Sequence, residues 1–354
     1  MKKKFLISTG GSGGHVVPAI ILYEHLTKEI DVIISTDKRG LKYLDKSIYK
    51  LEIVDTPKLK NIFFLPFYFI IILILTIKSL YLLMNKKIEK VFSIGGYMSL
   101  PIILAAKLLN LKIYLIEPNH VLGRANKFYL NFSKKIFCYS EKIINFPDKF
   151  KNKLININPL IKKEIYGTKF PDEINNQFTL LIVGGSQGAN FFDNNLKNIV
   201  VNISKKLNIK VIQQTSKKNT VFLKNFYATN NVENQIFSFS NDFIKKILQA
   251  DLCITRAGAS TLAELSFLNV PFIAVPLPNS KDNHQFENAN FYKNNDCCWL
   301  IEQEYFDEKI EDLLKEIIIN KTNYLKKKQN LKKLNYQNTW INVNQKILGI
   351  IDEN

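Results

Sequence analysis

Four times along the chain, a short apolar run ends in a glycine-containing turn and gives way to residues with helical spacing. Phe5 to Ser8 stops at TGGSGGH, and Pro18 to Leu26 then places Ile20, Ile21 and Leu26 at helical intervals. Val91 to Ile94 precedes GGY and a helix-like stretch from Pro101. Leu180 to Val183 precedes GGSQGAN, and Leu252 to Thr255 precedes RAGAS and TLAELSFL. Strands alternating with helices predict an α/β fold, a parallel sheet covered by helices on both faces. FLISTGGSGG and TLLIVGGSQG are variants of one unit, so each is expected to open its own doubly wound domain. The Asn- and Pro-containing stretch 156–171 is the expected connection, dividing the chain into 1–160 and 161–339. Trp340, Val343, Ile347 and Ile350, spaced by three and four, predict an amphipathic C-terminal helix within 340–354 that packs back on the first domain.

The longest apolar run, Ile62 to Ile77, resumes after Lys78 as SLYLLM. From Pro66, a residue suited to opening a helix, to Met84 is about 19 residues, close to the roughly 20 that cross a bilayer. A spanning helix here would put the first glycine loop and the later ones on opposite sides of the membrane, where they could not share a site. The expectation is therefore a helix lying in or dipping into the interface, anchored by Lys58 and Lys60 before it and Lys86, Lys87 and Lys90 after it. A core helix is the plainer alternative.

With 354 residues, two domains are expected rather than one. The 49 Lys and Arg against 31 Asp and Glu leave a formal charge of +18. That excess fits a polyanionic partner, whether nucleic acid, an anionic membrane or a phosphorylated substrate. A compositional bias toward Lys, Asn and Ile would produce it equally well. Cys138, Cys253, Cys297 and Cys298 have neither zinc-ligand nor paired-disulfide spacing, which fits a reducing compartment. The start, MKKKFLIS, lacks the apolar core of a signal peptide.

Glycine turns between strand and helix aim backbone N–H groups at anions, and diphosphate is their natural guest. The dinucleotide fingerprint fails, because Val16 stands where its third glycine belongs, although Asp37 after the second strand would suit a ribose. The phosphate-loop signature is absent. His15, inside the first glycine loop, could act as a base or as a donor to a substrate oxygen. Glu264, one to two turns into the helix after Arg256, has the chemistry to accept paired ribose hydroxyls, or is simply a solvated helix residue. Asp282, Asn283, His284 and Gln285 precede a further helix, and the residues alone leave loop capping and sugar binding open.

Taken together, GGSGGHVVPA, GGYMSLP, EPN, GGSQGAN, TRAGASTLAEL and DNHQFENA resemble, in order and approximate spacing, the MurG family of bacterial peptidoglycan N-acetylglucosaminyltransferases. The resemblance covers nearly the whole chain. It implies a GT-B fold, two Rossmann-like domains facing across a cleft. The acceptor would bind in the first domain and UDP-N-acetylglucosamine mainly in the second, with no metal or other cofactor. The implied reaction is inverting transfer to the C4 hydroxyl of the muramyl sugar of undecaprenyl-diphosphate-linked muramyl pentapeptide, lipid I, giving lipid II for wall growth and division. The implied location is the cytoplasmic face of the inner membrane, with a cell-wall synthesis complex as partner and no nucleic acid.

Carried over by motif, His15 faces the diphosphate or the acceptor, and by its own chemistry it is the candidate base. Ser12, Gly13, Gly14 and Asn119 face the diphosphate, the donor sugar or the acceptor. Ser186 and Gln187 lie near the donor diphosphate, Glu264 on the ribose, and His284 and Gln285 on the sugar. Gly95, Gly96 and Tyr97, with Phe67, Ile71 and Leu75 of the apolar run, make up the acceptor and membrane side. Two positions depart from the family pattern. Ile161 stands where an arginine is common, leaving Lys162 or Lys163 to meet the diphosphate, and Ile116 replaces a histidine, for which His120 is the candidate substitute. Two alternatives stay open: a UDP-N-acetylglucosamine 2-epimerase of the same fold, and a non-catalytic basic membrane-binding protein.

Overall fold

The computed structural model describes residues 2–58, 62–168, 177–238 and 242–353, with 62 and 186–188 described by their backbone only. It forms two units, Met1–Lys163 with Asn338–Asn354, and Glu164–Gln337. In the first, β1 (Lys4–Ser8), β2 (Asp31–Thr36), β3 (Leu51–Ile53), β4 (Lys90–Ser93), β5 (Lys112–Glu117), β6 (Lys135–Cys138) and β7 (Leu154–Asn156) form one parallel sheet in the order β3-β2-β1-β4-β5-β6-β7. In the second, β8 (Phe178–Val183), β9 (Ile209–Gln214), β10 (Glu233–Phe237), β11 (Leu252–Thr255), β12 (Phe272–Ala274) and β13 (Cys298–Leu300) take the order β10-β9-β8-β11-β12-β13. Both are doubly wound Rossmann-like sheets.

Alternation along the strands feeds two cores in the first unit. Phe5 and Ile7 of β1, Phe92 of β4, Tyr114 of β5 and Phe137 of β6 pack on one face. Leu6, Val91, Ile113, Leu115 and Ile136 pack on the other, with Ile102, Ile103 and Ala106 of the helix Leu100–Leu108. A sheet buried on both faces needs such near-continuous apolar strands. Four of the glycine turns sit where the strand order reverses. Ser8 pairs with Ser93 and Val183 with Thr255, so the turns after β1 and β4 emerge side by side, as do those after β8 and β11.

The helix Leu65–Asn85 has 21 residues, about 32 Å at 1.5 Å per residue, and is apolar enough by length and composition to cross a membrane. It is not a core helix, since only 22% of its apolar window is buried. Ile72, Thr76, Ser79 and Leu83 form one narrow stripe against the helix Leu100–Leu108. Phe67 is 70% exposed and Ile71 37%. Leu75, expected on the membrane face, instead packs partly against the core. Lys90 is also not a headgroup anchor: it is buried, its Nζ donating to the Ile351 carbonyl at the end of the C-terminal helix. Lys86 pairs with Glu52 at 3.1 Å, and Lys60 lies outside the described residues.

The helix Trp340–Asp352 belongs to the first unit, its Val343, Ile347 and Ile351 buried in the core beneath β1. Its seat is His25, which stacks on Trp340 with ring centroids 3.6 Å apart and contacts Asn344 Oδ1 through Nδ1 at 3.1 Å. Burial lowers the His25 pKa from 6.5 to about 4, so the folded protein holds it neutral where the unfolded chain would protonate it. The stabilisation is therefore complete above pH 6.5 and is lost as pH falls toward 4. Between pH 7 and pH 5, His25 alone should cost about 2 kcal/mol of unfolding free energy. Urea unfolding across that range checks this. His25→Phe, which retains an aromatic face for Trp340, should flatten the pH dependence, and an unchanged slope would show that other groups set it.

Candidate active site

In the first unit, the turn after β1 holds a tight conformation because β2 clamps it. Buried Asp37 accepts from the Gly11 and Gly40 amides through Oδ1, at 2.8 and 2.9 Å, and from Arg39 Nε through Oδ2 at 2.8 Å. Gly40 must be glycine here: a Cβ would lie 2.2 Å from Thr36 Oγ1 and 2.9 Å from Gly10 Cα. Asp37 is thus fully engaged by its own loop, which removes it as a ribose ligand and with it the sequence argument for a nicotinamide nucleotide.

The helix Gly13–Leu26 begins at Ser12, which makes no side-chain capping bond, and its first turn carries no acid. Its opening therefore presents uncapped amides and a positive helix end to solvent-accessible space at Ser12 and Gly14. His15 Nδ1 lies 3.1 Å from the Ile94 carbonyl. A carbonyl only accepts, so in the neutral ring Nδ1 carries the proton and Nε2 the lone pair, the tautomer a base requires. The turn after β4 closes over that ring. Gly96 has φ +79°, and a Cβ there would meet Met98 Sδ at 2.2 Å and His15 Nε2 at 3.4 Å. The Tyr97 ring faces the Arg39 guanidinium at 5.2 Å, and burial raises the pKa of its hydroxyl.

Glu117, at the end of β5, is the buried keystone of the EPN segment. Its carboxylate accepts from Asn119 N and Nδ2 at 3.2 and 3.0 Å, from Gly123 N at 2.9 Å and from Asn126 Nδ2 at 3.0 Å. Burial pushes its pKa up while these bonds oppose the shift. Asn119 is therefore fixed through its amide nitrogen. Ile116 is buried in β5, and His120 is buried too, its pKa lowered to about 4 by desolvation, so it is held as a neutral ring inside the fold rather than offered at the surface.

In the second unit, Gly185 opens the helix Gly185–Asn195 with φ +61°, its amide donating to Gln214 Oε1 at 3.0 Å. The side chains of Ser186 and Gln187 lie outside the described residues. Arg256 is a brace: Nη1 donates to the Val275 and Pro276 carbonyls at 3.1 and 3.2 Å, Nη2 to Gln303 Oε1 at 2.6 Å, and the guanidinium faces Phe191 at 4.6 Å. It thereby secures the turn after β12. Glu264, in the helix Ala259–Phe267, is buried, not the solvated helix residue of the plainer reading. Gln285 accepts from Leu277 N at 3.0 Å through Oε1, which leaves its NH2 to act as a donor, and His284 Nδ1 contacts the Lys281 carbonyl at 2.6 Å. Asp282 and Asn283, both at positive φ, shape the turn. Ile161 is buried and Lys162 half-buried in the first unit. Among the described residues, no group of three or more His, Cys, Asp or Glu is placed to hold a metal.

Residues 5–138 match the glycosyltransferase family 28 N-terminal domain and residues 179–339 its C-terminal domain. Over the full length of both chains, the protein is 48% identical to the UDP-N-acetylglucosamine–N-acetylmuramyl-(pentapeptide) pyrophosphoryl-undecaprenol N-acetylglucosamine transferase of Pelagibacter ubique (strain HTCC1062). The chain belongs to the MurG family. The solved MurG of Acinetobacter baumannii aligns over all of both chains with a TM-score of 0.79 at 22% identity, a likeness of fold. A UDP-N-acetylglucosamine 2-epimerase also shares the fold, with a TM-score of 0.61 at 13% identity over 93% of this chain and 91% of its own. Fold alone therefore does not separate transferase from epimerase, whereas the full-length identity does.

In this MurG-family chain the motifs mark His15, Asn119 and Glu264 but not Arg39 or the anchoring role of Glu117. DKRG directly after the second strand was the available signal for the first. Glu117→Ala should destabilise the first unit by about 3 kcal/mol, since it orphans buried donors. Chemical denaturation checks this, and a loss under about 1 kcal/mol would mean that the Asn119 segment is held by other contacts.

Proposed function

We infer that this chain transfers N-acetylglucosamine from UDP-N-acetylglucosamine to the muramyl sugar of lipid I, forming lipid II and UDP in peptidoglycan synthesis. The full-length 48% identity to a transferase of that name carries the reading. The positions of the glycine turns at both strand-order reversals support it, because ligands of doubly wound sheets bind there.

The acceptor's C4 hydroxyl attacks the anomeric carbon of the donor sugar. The new glycosidic bond forms with inversion as the bond to the UDP oxygen breaks, and His15 Nε2 takes the hydroxyl proton. The negative charge that builds on the leaving diphosphate is met by helix N-termini and loop amides, with Lys162 as the nearby cation. Ser186 and Gln187 serve the donor diphosphate, Glu264 the ribose, and His284, Gln285 and Asn119 the sugar. Ser12, Gly13, Gly14, Gly95, Gly96 and Tyr97 form the acceptor side.

The broad apolar face of the helix Leu65–Asn85, with Phe67 and Ile71 outward, rests in the inner leaflet on the cytoplasmic side. Its buried stripe fixes it to a folded unit along its length, which favours one-sided insertion over a lipid-surrounded span. An epimerase has no use for that face, and a non-catalytic binder has none for an oriented His15.

Labelled N-acetylglucosamine should pass from its UDP donor into lipid II when the protein is mixed with lipid I in anionic vesicles. Donor epimerisation without transfer would replace this reading with the epimerase. His15→Ala should lower turnover at least about 100-fold, the scale of general-base catalysis, while UDP binding by calorimetry stays unchanged. Full activity in that variant would remove His15 from the mechanism. Phe67→Ser with Ile71→Ser should release the protein from vesicles in a sedimentation assay without lowering its melting temperature, and undiminished binding would place the membrane contact elsewhere.

A further inference from the structure

Arg39 stands at the carboxyl end of β2, and the transferase reading above gives it no role. Two of its five N–H groups, on Nε and Nη2, go to Asp37 Oδ2, and the side chain remains 44% exposed. Asp37 in turn takes the Gly11 and Gly40 amides on its other oxygen, so its charge is spread over three partners. The guanidinium is consequently held in one orientation while its Nη1 edge is not used by Asp37. Nη2 lies 4.0 Å from where a Cβ on Gly11 would stand, at the mouth of the glycine turn that leads into the uncapped amides of Gly13 and Gly14. Its face lies over the Tyr97 ring.

The other neighbour is the apolar helix. Tyr68, one residue beyond outward-facing Phe67, is within electrostatic reach of both Arg39 and Tyr97. A rigid cation thus stands where the glycine turns meet the start of the most apolar exposed surface among the described residues. A molecule whose diphosphate is joined directly to a hydrocarbon chain has that same sequence of charge and oil. The donor diphosphate does not.

We propose that Arg39 grips the diphosphate of the lipid-linked acceptor with its Nη1 edge, together with the Gly13 and Gly14 amides. Arg39 is a binding residue for the acceptor, and the assignment rests on the transferase reading for the identity of the acceptor. The fork geometry matters, because a lysine supplies charge without two parallel donors.

The test compares wild type, Arg39→Lys and Arg39→Ala in steady-state transfer, in direct binding of farnesyl diphosphate in detergent by calorimetry, and in thermal unfolding. Arg39→Ala should raise the acceptor KM and the farnesyl diphosphate Kd about 10- to 100-fold, the effect of losing a charge-assisted contact. The KM for UDP-N-acetylglucosamine should stay within about twofold and kcat at saturating acceptor should be kept, as expected for loss of uniform binding. Arg39→Lys should fall between the two, and it carries the test if the alanine variant does not fold. A role confined to bracing Asp37 predicts a lower melting temperature with both constants unchanged, and that result overturns the proposal, as does an equal rise in the two KM values. Farnesyl diphosphate binding decides the point even if wild type transfers nothing, an outcome that would reject the transferase reading instead.

Discussion

Where strand order reverses in a parallel sheet, successive helices must leave toward opposite faces, and the backbone there opens a crevice that neither helix fills. Both sheets of this protein have such a reversal, between β1 and β4 and between β8 and β11. The glycine turns fall at these four strand ends, where side chains would otherwise occupy the crevice. Around them the fold adds fixed charges and dipoles: the uncapped start of the helix Gly13–Leu26, His15 oriented by the Ile94 carbonyl, and buried Glu264. On the proposed reading, diphosphate and sugar bind to geometry established by hydrophobic packing of the strands.

The supports of this arrangement are buried carboxylates and one guanidinium, each matched by hydrogen bonds. Asp37 ties the β2 loop to the β1 turn, Glu117 gathers Asn119, Gly123 and Asn126, and Arg256 holds the turn after β12. Unpaired, such groups would cost several kcal/mol each. Paired, they fix loops that would otherwise be mobile, as a site built from turns requires.

Repeated strand, glycine turn and helix made both sheets readable from the sequence, because strands buried on both faces are near-continuous apolar runs. β11 is found at Leu252–Thr255, where the pattern predicts it. The short edge strands β3 and β7, three residues each and only partly buried, give no such pattern. Of the candidate site, the placement of His15 and Glu264 close to glycine turns was legible because that spacing is local, and their roles there belong to the proposed function. The buried state of His120 and the capping role of Lys90 depend on partners far along the chain, Lys90 meeting Ile351 across 261 positions, while the engagement of Asp37 combines its neighbours Arg39 and Gly40 with Gly11 of the preceding strand's turn. Leu75 stands beside the inward stripe that Thr76 and Ser79 mark within the helix, a weak polar signal that the hydrophobicity of the run as a whole obscures. The +18 charge gains a proposed role at Arg39, beside the apolar helix, and at Lys162, and elsewhere composition accounts for it as well as function does.

The central claim, that the two strand-order reversals are two distinct ligand sites, is tested most directly by amide hydrogen exchange on the protein with UDP-N-acetylglucosamine alone and with lipid I alone. The account predicts that the donor slows exchange at 184–187 and 256–264, and that the acceptor slows it at 10–15 and 95–97. Protection of neither pair of turns, or the same pattern for both ligands, would contradict it.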